Sequence, residues 1–211
     1  MVVHERAQLI EGARRMGVEL TEDSAASLLR LMDELERWNA AYNLTSIRSR
    51  QAMLTHHLLD SLSIHSHLRG VTIADLGTGA GFPGLPLALT NPNREFTLID
   101  ANNKKVRFVT HAARELGLAN VTVTHARVET LDVPTPFDTV VARAFAPLPR
   151  LLQAAEALCG RGTRVLAMKG RITDGEIEGL PAPWSVVAVQ PLDVPHLGAA
   201  RHLVVLEPRG L

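Results

Sequence analysis

The chain has 211 residues, 46% of them hydrophobic and 21% charged, which excludes a disordered polymer and fits one globular domain with or without an extension. Lysine plus arginine number 22 and aspartate plus glutamate 22, for a formal charge of zero, and the single cysteine excludes a disulfide framework or a multi-cysteine zinc site. No run approaches the roughly 18 apolar residues of a membrane span, residues 1–8 lack a signal-peptide core, and a reducing, cytoplasmic setting is expected.

Residues 1–70 read as helices. Thr21 is placed to cap a helix with Glu22 and Asp23 in its first turn, and Leu28, Met32 (or Leu31), Leu35 and Trp38 recur at three- and four-residue steps. That apolar face needs a partner surface. Residues 51–68 predict a second helix through Met53, Leu58, Leu62 and Ile64, with Asn43, Leu44, Thr45 and Ser46 as a turn between the two. From residue 71 short apolar runs alternate with helical patterns: strands over 71–75, 95–100, 121–124, 139–142 and 163–168, helices over 85–90, 104–117, 127–131 and 148–159. Alternation of this kind implies an α/β fold with a mostly parallel, doubly wound sheet and right-handed crossovers. Residues 184–189 and 201–207 flank a loop with Pro and Gly and predict a closing antiparallel hairpin. There is no linker or repeat, so 1–70 is expected as a helical extension packed on a body over 71–211 in one compact unit.

The densest signal is the run Asp75, Leu76, Gly77, Thr78, Gly79, Ala80, Gly81, Phe82, Pro83, Gly84. A buried strand enters a glycine-rich turn whose backbone can approach a ligand closely before a helix begins, and Pro83 and Pro86 suit the first turn of that helix. The next strand ends at Asp100, where a carboxylate can take both hydroxyls of a ribose. Such a turn serves NAD, FAD and methyl-donor enzymes alike. Asp75 separates them: an acid two residues before the first glycine would face the dianion of a pyrophosphate, whereas S-adenosylmethionine carries a sulfonium and an ammonium.

Further along come Asn43-Leu44-Thr45, His57-Leu58-Leu59-Asp60-Ser61-Leu62, Arg127-Val128-Glu129, Arg143-Ala144-Phe145-Ala146, Lys169-Gly170, Val194-Pro195 and Arg201-His202-Leu203-Val204-Val205. Together with the glycine turn they resemble the bacterial small-subunit ribosomal RNA guanine-N7 methyltransferases of the RsmG (GidB) type, over about residues 9–207. The resemblance implies a class I, Rossmann-like methyltransferase sheet of seven strands that uses S-adenosylmethionine on N7 of one guanosine in the 530 loop of 16S rRNA. It implies that Gly77 and Phe82 line the cofactor pocket, that Val128 and Glu129 meet the adenine, and that Arg143 sits at the reaction end; Asp75, Gly79 and Asp100 join that pocket on the reading of the turn given above. Asn43 is then expected at the substrate mouth, with Arg127, Phe145 and Lys169 toward the RNA. The pattern departs at His56, where the family carries an arginine.

Guanine N7 presents a bare lone pair, so its methylation needs alignment and no general base. Cys159, between a helical run and Gly160, reads as a small buried residue, not a nucleophile. Arg143 can hold O6 or a phosphate, and Phe145 can stack on a base or join the core. Nine histidines raise a metal site, above all His56, His57 and Asp60, but no third ligand follows at a fitting spacing, and His57 with Asp60 is expected to form a hydrogen-bonded link between extension and body. Two other readings stay open: a small-molecule methyltransferase on the same fold, and a nucleotide-sensing module binding NAD. Zero net charge also hides an asymmetry. Residues 101–173 carry eleven basic and five acidic side chains, a net of +6, so 16S rRNA is an admissible partner, within a 30S subunit or an assembly intermediate, for a monomer with no membrane partner.

Overall fold

Two helices lead the chain, α1 (Val2–Arg15) and α2 (Glu22–Tyr42). The computed structural model describes residues 2–131 and 133–209; Asp132, counted among the acidic residues above, and residues 210 and 211 of the expected body lie outside the described residues. Thr21 Oγ1 accepts from the Ser24 N–H at 3.1 Å, and acids in the first turn complement the helix dipole. Leu28, Leu31, Met32 and Leu35 are all fully buried, so both candidates at the second apolar step belong to the core. The helix stops where Asn43 turns left-handed at φ 50°.

The second helical stretch is more broken than its periodicity predicts. It comprises α3 (Arg50–Met53), a π-helical run Leu54–Leu59, and α4 (Asp60–Leu62), followed by a 3₁₀ turn at His65–His67. The expected end at residue 68 is thus overturned, because the Ser61 and Ser63 hydroxyls bond back to the carbonyls of His57 (2.5 Å) and Asp60 (2.6 Å) and compete with the helical ladder. Arg50 ties the extension together, reaching Glu5 at 2.8 Å, Asp33 at 2.7 Å and Glu36 at 2.8 Å.

The sheet follows as β1 (Thr72–Leu76), α5 (Gly84–Thr90), β2 (Glu95–Asp100), α6 (Asn103–Glu115), β3 (Val121–His125), β4 (Thr139–Arg143), α7 (Leu148–Ala155), β5 (Arg164–Lys169), α8 (Asp174–Glu178), β6 (Trp184–Pro191) and β7 (His202–Pro208). Its seven strands run in the order β3-β2-β1-β4-β5-β7-β6. The first five are parallel, and β7 pairs antiparallel with both β5 and β6, as the closing hairpin requires. Strand ends fall within two residues of expectation. The helix expected over 127–131 shrinks to a 3₁₀ turn at Val128–Thr130, the one over 148–159 ends in another at Glu156–Leu158, and α8 was not foreseen. Among the described residues, no helix is long and apolar enough to cross a membrane.

Side chains alternate between the two faces of a strand. Ile73, Leu98, Val141, Leu166 and Met168 join Leu9, Leu28, Leu35 and Leu58 of the extension in one core cluster. Ala74, Leu76, Ile99, Val140, Val165 and Ala167 pack on the other face against Leu148, Leu151 and Leu152 of α7. The extension therefore shares its core with one face of the sheet. Reversal of winding between β1 and β4 opens a crevice at the carboxyl ends of these strands, where ligands bind in sheets of this topology.

Candidate active site

The turn after β1 is built around one buried carboxylate. Asp75 Oδ2 accepts from Thr78 Oγ1 at 2.6 Å and from the Gly84 N–H at 2.8 Å, while Oδ1 is buried with no hydrogen-bond partner among the described residues. Burial pushes the Asp75 carboxyl up to about 6, against the pull of those two donors and of Arg143. Gly77 and Gly79 stand at φ +65° and +63°, a region side chains rarely adopt. A Cβ on Gly77 would meet Phe145 Cδ2 at 2.6 Å. The Gly79 N–H donates to Asp100 Oδ2 at 2.9 Å and the Asn102 N–H to Asp100 Oδ1 at 2.7 Å, so Asp100 also orders the two turns that frame it.

Beside this turn lies a cavity of about 250 Å³ lined by Gly77, Ile99, Asp100, Ala101, Ala126, Arg127, Val128, Glu129 and Phe145. The structure thus brings together six of the residues expected to hold the donor or the RNA: Gly77, Asp100, Arg127, Val128, Glu129 and Phe145. Val128 is buried, while Arg127 and Glu129 are exposed at the rim. Phe145 is half-buried against the core, over the glycine turn. A cavity floored by Gly77 and lined by the Asp100 carboxylate fits a ligand carrying a ribose, and the orphaned Asp75 oxygen in the adjoining turn suits a cationic head group.

Phe82 and Arg143 face another way. Phe82 is 3% exposed and stacks on His57, with ring centroids 4.5 Å apart, and the Arg143 guanidinium lies 5.6 Å from its centroid. Arg143 Nη1 donates to the His56 carbonyl at 2.8 Å and to Asp60 Oδ2 at 3.1 Å, and Arg201 Nε donates to Asp60 Oδ1 at 2.7 Å. Ile47, His56, His57, Asp60, Arg143, Ala144 and Arg201 line a second cavity of about 220 Å³. The expected bond between His57 and Asp60 is replaced by separate partners: both Asp60 oxygens engage arginines, and His57 Nε2 lies 3.1 Å from Thr45 Oγ1. Burial, with Arg143 and His56 nearby, lowers the His57 ring to about 3, so it is neutral.

Lys169 also departs from its expected exposure toward substrate. Its Nζ donates to the Ala146 carbonyl at 2.7 Å and to Glu176 Oε2 at 2.8 Å, and Glu176 further accepts from the Leu148 N–H at 3.1 Å. Strand parity is the reason: Lys169 alternates with Ala167 and Val165 toward α7, whereas Arg143 alternates with Val141 toward the extension. Asn43 is exposed and caps α2, its Oδ1 accepting from Arg48 at 3.1 Å; Thr45, two residues on, carries the contact to His57. Cys159 is half-buried, and burial together with Glu156 pushes its thiol up to about 12, which leaves no thiolate for nucleophilic chemistry. Among the described residues, no three His, Cys, Asp or Glu side chains converge as a metal set. Arg201 stood in the sequence only at the head of one motif, with no role assigned, and Glu176 was not singled out at all.

Comparison with known proteins bears on this arrangement. A family described as GidB, rRNA small subunit methyltransferase G, matches residues 24–204. A protein named Ribosomal RNA small subunit methyltransferase G from Nitrosococcus oceani is 47% identical over 201 residues, 95% of this chain and 94% of that one. A protein of the same name from Hahella chejuensis is 38% identical over 210 residues, covering 100% of this chain and 97% of that one. Among solved structures, a SAM dependent methyltransferase from Aquifex aeolicus superposes with a TM-score of 0.58 at 18% identity, over 78% of this chain and 97% of that one, a likeness of fold.

Proposed function

This chain belongs to the rRNA small subunit methyltransferase G family, and from that premise we propose that it transfers a methyl group from S-adenosylmethionine to N7 of one guanosine of 16S rRNA. The observation that carries the reading is the glycine turn after β1, in which the Gly79 N–H donates to Asp100 and an oxygen of buried Asp75 is orphaned, beside a cavity that Gly77, Asp100, Val128 and Glu129 line. When bound, S-adenosylmethionine supplies an electrophilic methyl group on a sulfonium.

The residues of the chain do the rest. Asp75 offers an unpaired carboxylate oxygen to a cationic group, and Gly77 and Gly79 let the backbone approach without a Cβ in the way. Asp100 keeps acceptor capacity beyond its two backbone donors for ribose hydroxyls. Val128 and Glu129 wall the adenine end, while Phe82 backs the guanidinium of Arg143 at the reacting end. Guanine N7 has no proton to lose, so alignment by Arg143 replaces acid–base chemistry. Phe145 and Arg127 offer a ring and a charge at the rim. Lys169 holds the loop that carries Phe145, and Asn43 sits at the outer edge of the mouth.

Residues 1–70 act as a cap on a single unit that works as a monomer in the cytoplasm, on rRNA within a 30S subunit or an assembly intermediate. Scattered apolar exposure at Val3, Tyr42, Val71, Val187 and Val189 supports the monomer. Labelled methyl transfer to 30S subunits, naked 16S rRNA and a metabolite panel tests the reading: label at a guanine N7 of 16S rRNA is expected. Label confined to metabolites, or tight NAD binding without S-adenosylhomocysteine binding, overturns it.

A further inference from the structure

The cluster around Asp60 lies outside the donor cavity and is the least explained part of the molecule. Asp60 is fully buried, in the helical extension, and bridges two cations that come from β4 and from the residue preceding β7. A buried carboxylate with two guanidiniums is held by geometry, and removing the carboxylate frees both.

The π-helical run explains how the backbone takes part. The Asp60 N–H bonds to the carbonyls of Thr55 and His57, bypassing His56, whose carbonyl an α-helix would have used. That carbonyl receives Arg143 Nη1 at 2.8 Å instead. One helical turn thus supplies both anchors of the guanidinium, a carbonyl and a carboxylate, and Phe82 supports its face. Arg143 uses Nη1 for these bonds and makes no hydrogen bond through Nη2 or Nε among the described residues, while it lines the cavity of about 220 Å³.

We propose that Asp60 is a positioning residue for methyl transfer: braced by Arg201, it fixes the Arg143 guanidinium with Nη2 and Nε free to donate to O6 of the target guanine, leaving N7 for the methyl group. The inference rests on the function proposed above. O6 and N7 are the two acceptors on that edge of guanine, and a donor fixed on one orients the other. Charge supports the same arrangement. Methylation at N7 places a positive charge on the base, and Asp60 offsets one of the two guanidiniums beside it, which leaves the cluster at a net +1 instead of +2. The neutral His57 ring adds no further positive charge to this wall.

The test uses the full chain as Asp60→Asn and Arg201→Ala, each alone and combined with Arg143→Ala, measuring kcat and KM for 16S rRNA per S-adenosylhomocysteine-binding site. We expect Asp60→Asn to lower kcat at least tenfold with S-adenosylhomocysteine affinity within threefold, and to cost less than twofold more once Arg143 is alanine. Arg201→Ala should show the same dependence on Arg143, and it serves where Asp60→Asn folds poorly. Activity that falls only in proportion to the loss of binding-competent protein, or losses that multiply across the two sites, overturns the role of Asp60. A wild-type chain that binds S-adenosylhomocysteine but methylates no 16S rRNA overturns the underlying function, and this proposal with it.

Discussion

Arg143 and Lys169 close neighbouring parallel strands, with Arg143 opposite Met168 in the ladder, yet they serve opposite faces of the sheet. Each cation is held by one carbonyl and one carboxylate: His56 and Asp60 for Arg143, Ala146 and Glu176 for Lys169. The difference lies in what is left over. A guanidinium with five N–H groups can be anchored and still present donors in a fixed plane, whereas a tethered ammonium is a compact charge on a flexible stem. The face toward the helical extension thus carries an anchored guanidinium beside a cavity, the reader of the proposal above, and the face toward α7 carries a clasp on the Phe145 loop. Strand parity separates a cation that lines a cavity from one that ties a loop.

Substitutions at the two strand ends should widen that contrast or erase it. Arg143→Ala is expected to lower turnover on 16S rRNA on the order of 100-fold, with S-adenosylhomocysteine affinity, read by calorimetry, within a few-fold; equal losses in both would merge the reader with the donor pocket. Asp100→Ala should weaken S-adenosylhomocysteine binding by about 1 to 3 kcal/mol, because it removes the acceptor that also orders Gly79. Asp75 makes the turn after β1 sensitive to pH. Its carboxyl stands at about 6, above the ordinary 3.8, so the folded chain holds a proton that the unfolded chain has lost between those values. The stability it contributes is full below pH 3.8 and lost as pH rises through about 6. A cationic ligand needs the ionised form, so S-adenosylhomocysteine affinity should climb up to about pH 6 and level off above it, and Asp75→Asn should flatten that rise. On the clasp side, Lys169→Ala should cost about 1 to 2 kcal/mol in urea unfolding and reduce turnover by less than the Arg143 change. Cys159→Ala should leave turnover unaltered, and any collapse of activity there would return the thiol to the chemistry.

How much of this was readable in the sequence depends on the range of the interaction. The glycine turn with Asp75 and Asp100 was legible because strand, turn and helix start are contiguous and their chemistry is local, whereas Val128 and Glu129 came from the resemblance alone. The apolar face of α2 was legible through its period, although Leu31 and Met32, read as alternatives, are both buried. By contrast, five-residue α8 carries no period, so Glu176 and its hold on Lys169 had no signal. The π-helical run was hidden for a similar reason: His56, His57 and Asp60 look like ordinary helical neighbours until the ladder skips a carbonyl. Arg201 meets Asp60 from 141 residues away, a pairing that no local pattern encodes.

Those separations govern when the site comes into being. Asp60 waits 83 residues for Arg143 and 141 for Arg201, and Arg201 arrives with β7, the strand that must slot between β5 and β6. Contacts closing such long loops form late, after local helices and hairpins have settled. A growing chain therefore carries a half-clamped carboxylate until its last strand has emerged and paired. The clamp around Asp60 is then completed in a single closing step, when β7 pairs between β5 and β6 and brings Arg201 with it.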